Sequence, residues 1–179
     1  MISPELELER RAHELRGQTL RKVWYQHGKE SGEVDSVGHL AFLDFESGTR
    51  VAIGCSNELR YRHGWGITVR PQKVIDTGYG APVDVSGSRW ASRIGKTIAH
   101  ARIHWDGIKD RLRSSLAIGI AIHADHLSRH DYPQTLELDF SGGDSVFFAA
   151  ARQSREGTVA FVNELLVFFS HADREAAGL

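Results

Sequence analysis

Two stretches of this chain carry the same hairpin pattern, and a sequence that writes a hairpin twice is committed to a β architecture. Residues 39–54 read HLAFLDFESGTRVAIG and residues 134–151 read QTLELDFSGGDSVFFAAA. Aligned without a gap at an offset of 95 (139 minus 44), Leu43, Asp44, Phe45, Gly48 and Val51 fall on Leu138, Asp139, Phe140, Gly143 and Val146. In each copy the alternation runs into a glycine, which can turn the chain at positive φ in a three- or four-residue hairpin loop. Upstream, Gly17-Gln18-Thr19-Leu20 resembles Gly95-Lys96-Thr97-Ile98 at an offset of 78 (95 minus 17), so the second copy holds 17 more residues before its hairpin. The expected fold is mainly β (α+β): antiparallel sheets from two internally duplicated β units with an N-terminal amphipathic helix. Residues 1–179 form a single domain, with pseudo-repeats 17–73 and 95–170 joined by a connection over 74–94.

The helix is expected from Pro4 to about Arg16. Ser3 is its N-cap, Pro4 its first position, Glu5 and Glu7 lie early, Arg16 late, and Gly17 follows. Leu8, Ala12 and Leu15 form its apolar stripe. In the first hairpin, Ala41, Leu43 and Phe45 mark one face while Leu40 and Phe42 make the other apolar as well. That second face needs a cover, which the helix is expected to supply. Further strands are expected at 20–25, at Ile67 to Val69, from Ile98 to Trp105, through Leu116, Ile118, Ile120 and Ile122, and at 164–169. A short helical turn is expected around Trp90, and an exposed tail from Ala172.

Charge narrows the partners. With 22 Lys plus Arg against 23 Asp plus Glu, both signs mixed along the chain, there is no electrostatic footprint for nucleic acid or an anionic membrane. The acidic N-terminus lacks the basic start and apolar core of a signal peptide, and no run of about 18 apolar residues occurs, so a cytoplasmic location is expected. Cys55, the single cysteine, continues the apolar face of Val51 and Ile53 and reads as a small buried side chain.

Four constellations are candidates for function. Glu58, Arg60, Tyr61, Arg62, His63 and Trp65 form a polar and aromatic loop beside Gly64 and Gly66; Arg, Tyr and Trp are the types enriched at binding hot spots, and this is the expected partner-binding site. His123, His126 and His130, with Asp125 and Asp131, are the alternative: a transition-metal site of a metal-dependent hydrolase. Their spacing matches no standard metal motif, so no metal and no cofactor are expected. His100 and His104, with Arg102 between them, read as the polar outer face of a strand whose inner face is Ala101, Ile103 and Trp105. Asp44 and Asp139 are repeated acids, expected to face solvent or bond a turn amide rather than form a catalytic pair. No nucleophile elbow, phosphate-binding glycine loop or dinucleotide fingerprint is present.

The stretches Gly17 to Tyr25, Leu43 to Ile53, Gly95 to Ile103 and Leu138 to Phe148 give the chain a further resemblance. Small duplicated β-rich chains of this kind are similar to cytoplasmic immunity proteins of bacterial polymorphic toxin systems. The resemblance implies a non-enzymatic protein that binds a toxin domain and blocks its active site. Contact residues in that family vary with the toxin, so none is carried across. Self-association stays open on the same grounds.

Overall fold

The computed structural model describes residues 3–31, 33–56, 65–72, 80–107, 131–154 and 157–179. Helix α1 spans Pro4–His13, and the Ser3 hydroxyl accepts the Leu6 N–H at 3.3 Å, which satisfies one of the donors that the first helical turn leaves open. The helix ends three residues short of the expected Arg16. Residues 14–16 continue as tighter turns, and Gly17, at φ +81°, redirects the chain into the sheet.

Among the described residues nine strands follow: β1 (Leu20–Ser31), β2 (Val34–Phe45), β3 (Arg50–Ser56), β4 (Gly66–Pro71), β5 (Val83–Asp84), β6 (Ile98–Gly107), β7 (Asp131–Phe140), β8 (Ser145–Ser154) and β9 (Gly157–Phe168). They make one antiparallel, curled sheet in the order β4-β3-β2-β9-β8-β7-β6, with β1 also on β2 and β5 on β1. Two strands share one edge of β2: Leu40 to Asp44 pair with β3, and Val34 to Val37 pair with β9. At one end of the order β4 approaches β7, next to the other end, where Gly66 meets Pro133 so closely that a Cβ on Gly66 would lie 2.7 Å from the proline ring.

The two hairpins expected from the sequence are β2–β3 and β7–β8. Leu43 pairs with Val51 and Leu138 with Val146; Gly48 and Gly143 take φ of +83° and +90°. The surrounding bonds recur as well. Glu46 N–H donates to Thr19 O, and Ser141 N–H to Thr97 O; Thr19 and Thr97 face each other through their hydroxyls at 3.0 Å. The link is reciprocal, because Leu20 N–H bonds Lys96 O while Ile98 N–H bonds Gln18 O.

Leu8, Ala12 and Leu15 of α1 join the main core with Ala41, Leu43, Phe45, Ile53, Leu138 and Phe148. This corrects the expectation that the helix covers the Phe42 face. The helix instead bridges the two ends of the sheet: Arg11 Nη1 donates to Val69 O of β4 at 3.3 Å, and Trp105 Nε1 of β6 donates to Glu9 at 2.5 Å. A curled sheet leaves its largest unfilled apolar gap where its ends fail to pair, and the apolar stripe goes there. Phe42 is nonetheless fully buried on the opposite face, flanked across the strands by Trp24 and Ala52.

Residues 86–95 run as successive turns around the buried Trp90, whose indole stacks on Phe148 at 5.8 Å. The expected exposed tail contains a second helix, α2 (His171–Ala176), which Ser170 caps by accepting Asp173 N–H at 3.1 Å. Ala177 and Leu179 beyond it pack against a second apolar cluster on the outside of β8 and β9, formed by Phe147, Ala149, Leu166 and Phe168. The strand expected through Leu116, Ile118, Ile120 and Ile122 lies outside the described residues. No described helix is long and apolar enough to cross a membrane.

Candidate functional site

Two places in the described sheet gather chemistry-bearing groups: the outer face of β6 and β7, and the seam between α1 and β4. On β6, His100, Arg102 and His104 alternate outward while Ala101, Ile103 and Trp105 turn toward the core, as the period of two requires. Opposite them lies Glu137, only 3% exposed. His104 Nε2 bonds its carboxylate at 2.6 Å, Arg102 Nε stands 3.3 Å away, and His171 Nε2, from the start of α2, lies 3.7 Å from the other oxygen. A carboxylate so nearly removed from water must be paired, and here three cationic or protonatable groups from two elements surround it. Arg102 also bonds Asp139 at 2.5 Å, and Ser145 Oγ donates to Asp139 at 2.7 Å.

The arrangement ties elements together, since β6, β7 and α2 all meet on one carboxylate. His171 also sets its ring edge-on to Phe147 at 4.7 Å, and the Arg174 guanidinium lies 4.8 Å from the same ring. Among the described residues no group of three or more His, Cys, Asp or Glu is arranged to hold a metal ion. Around Glu137 the physical reason is plain: the guanidinium of Arg102 already stands against the carboxylate.

Asp44, the counterpart of Asp139, is buried too. It receives the Arg50 guanidinium at both oxygens and the Trp24 indole N–H at 3.2 Å, with Arg21 at 3.8 Å. Burial acts to raise its pKa, but the bonds from Arg50 and Trp24 and the nearby positive charges outweigh it and hold the carboxyl below its ordinary value. The expectation that Asp44 faces solvent or bonds a turn amide is therefore corrected: its partners are side chains of the neighbouring strands. Inside the core, Trp90 Nε1 donates to Tyr25 Oη at 2.7 Å, and the tyrosine donates to the wholly buried Asp35 at 3.0 Å; Arg89 approaches the other Asp35 oxygen at 3.4 Å.

The seam holds a cavity of about 250 Å³. Leu8 and Pro4 of α1 face Ile67 and Val69 of β4 across it, and Glu7, Arg11, Ser56, Thr68 and Arg70 complete its walls. A smaller cavity of about 70 Å³ continues past Arg11 toward Glu14, Leu15, Thr49 and Pro71. Bonds from Arg10 first, then Arg11, hold the Glu7 carboxyl down at about 2. One wall of the cleft is a sheet edge. Gln72 N–H bonds Arg50 O, which in this register aims the backbone groups of Arg70 and Thr68 at β3 and those of Ile67 and Val69 away from it.

Of the expected partner-binding residues, Trp65 is half-buried and immediately precedes β4, next to the Ser56 end of the cleft; Glu58, Arg60, Tyr61, Arg62 and His63 lie outside the described residues. His123, His126 and His130 lie outside them too. Cys55 donates to Glu164 O at 3.2 Å, and burial pushes its thiol up to about 12. The Glu137 set escaped the sequence reading because its members are far apart in the chain. Its one local signal is that Glu137 stands where the first hairpin has Phe42. Comparison with protein-family models, curated proteins and solved structures finds no match to the chain.

Proposed function

We propose that this chain is a non-enzymatic protein-binding module, specifically an immunity protein that neutralises a toxin domain by occluding its active site. The observation that carries this reading is the cleft at the seam. It has an apolar floor of Leu8, Ile67 and Val69 and a charged rim of Glu7, Arg11 and Arg70, and the β4 residues that line it follow the half-buried Trp65 closely in the chain. An apolar pocket within a polar rim is the anatomy of a hot-spot receptor. A rigid sheet suits that role, because a surface that does not reorganise gives up less free energy on association. The groups that resemble acid–base machinery, Glu137 with His104 and Arg102, are bonded to one another across strands and serve the scaffold.

We further infer that the two halves are copies of one β unit. Matching hairpin registers, matching glycine turns and the reciprocal bonds between residues 17–20 and 95–98 support this. The test is co-expression with the product of the adjacent gene. The expected result is that this product is toxic alone and harmless beside the intact protein, and that Tyr61→Ala or Trp65→Ala weakens the complex without lowering the melting temperature. An adjacent product that is harmless alone, or that kills equally well in the presence of this protein, sinks the immunity reading.

A further inference from the structure

We propose that His27, at the irregularity in β1, is a contact residue for the protein partner; this rests on the protein-binding reading above. Val23 and Tyr25 are buried in the core while Trp24 bonds Asp44 on the other face, so strict alternation would turn residue 27 inward. It is exposed instead. β1 pairs with β2 through Gln26 and Leu40 and next through Gly28 and Val37, which leaves His27 opposite two residues, Gly38 and His39. A bulge of this kind re-aims a side chain, and here it directs the imidazole out of the core and into solvent.

The backbone is strained to do so. His27 has φ +55°, and among the described residues every other positive φ belongs to a glycine, as at Gly17, Gly48, Gly95 and Gly143. Glycine adopts that conformation freely, whereas a Cβ crowds the following carbonyl. The surroundings hold the strained residue in place. A Cβ on Gly38 would come within 3.1 Å of the His27 carbonyl oxygen, and one on Gly80 within 3.2 Å of its ring. The buried Gln26 fixes Gly80 there, donating from Nε2 to its carbonyl at 2.8 Å. Strain held in this way by its neighbours is concentrated at sites of function.

The chemistry of the contact follows from the ring. Exposed, it fills no part of the core, and glycine would make the same bend without strain, so what the position keeps is the imidazole itself. An imidazole donates from one ring nitrogen and accepts at the other. Its backbone is fixed in advance by the bulge, which lessens the free energy lost in ordering it on association. The matching group is a polar one on a protein surface: a carboxylate, an amide or a peptide group that hydrogen-bonds the ring.

His27→Gly tests this in the full chain. The first measurement needs no partner: glycine relieves the positive φ, so the variant should melt no lower than the unaltered protein. A lower melting temperature would show that the ring serves the fold and overturns the proposal. The second is affinity for a catalytically inert form of the adjacent-gene product, which should fall at least tenfold in the variant. In the complex of the unaltered protein, the His27 ring-proton resonances, assigned by their absence from the variant, should shift. Unchanged affinity, or ring resonances that stay in place, overturns the contact and leaves the binding reading standing. No complex with the unaltered protein overturns both.

Discussion

Phe42 and Glu137 hold the same position on the outer faces of β2 and β7, 95 residues apart (137 minus 42), and both are buried, at 0% and 3% exposure. One is surrounded by hydrocarbon and the other by Arg102, His104 and His171. Removing the carboxylate takes this acceptor from His104 and His171 and leaves Arg102 with Asp139 alone, so Glu137→Ala should cost about 2 kcal/mol in denaturant unfolding. A double-mutant cycle with His171→Ala should give a coupling of roughly 0.2–1 kcal/mol, because that histidine is half exposed and 3.7 Å away. No coupling would mean that α2 is held by its contacts with Phe147 and by the packing of Ala177 and Leu179, not by Glu137.

Gly17 and Gly95 take φ of +81° and +79°, and a Cβ on either would meet no atom within 4 Å. Any penalty for a side chain there comes from the backbone. Gly17→Ala and Gly95→Ala should each cost about 1–2 kcal/mol, and asparagine at either position should recover part of it. Equal melting temperatures for the alanine variants and the unaltered protein would contradict the positive φ.

The Asp44 pair gives the fold an acid limit. Its folded pKa lies below the unfolded value of about 3.9, so the pair's contribution is fully present above that pH and is lost as pH falls through the folded value. Asp44→Asn should lower stability at neutral pH by about 1–3 kcal/mol and flatten the decline as pH falls below about 4. Parallel pH–stability curves for the two proteins would show that the Arg50 pair contributes nothing.

Cys55 should be unreactive. With its thiol pushed up to about 12, the thiolate at pH 8 is on the order of one part in 10⁴. An aromatic disulfide reagent should label this part-buried thiol far more slowly in the folded protein than in denaturant, a ratio read directly from the two reaction rates.

Leu138 and Phe140 are almost wholly buried on the inner face of β7, and Leu43 is their counterpart on β2. Leu43→Ala, Leu138→Ala and Phe140→Ala should each destabilise by roughly 2–5 kcal/mol, measured as the shift in denaturant midpoint at constant slope.

The hairpins were legible because everything that makes them is local: a period of two, an acid, and a glycine at the turn. The start of α1 was legible for the same reason, through Ser3 and Pro4. Where α1 packs was not, because that depends on how far the sheet curls and which strands are left at its ends. Ser170 and Asp173 carried a readable cap for α2, but six residues give no apolar stripe to draw attention to it. β5 is two residues long, and its existence follows only from the edge of β1 being within reach. The Glu137 set joins positions 33 and 34 residues apart (137 minus 104 and 171 minus 137), a distance over which pattern carries no information.

The bridge that α1 makes from Val69 to Trp105 also sets an order of events during synthesis. The helix is made before the strands it packs on, and the strand holding Trp105 is made 96 residues after Glu9 (105 minus 9). At about 5–20 residues per second, α1 waits on the order of 5–20 s before its seat exists. Ten residues are a marginal helix in water on their own, so this amphipathic segment spends that interval fluctuating. Docking of α1 across Val69 and Trp105 therefore comes no earlier than the synthesis of β6.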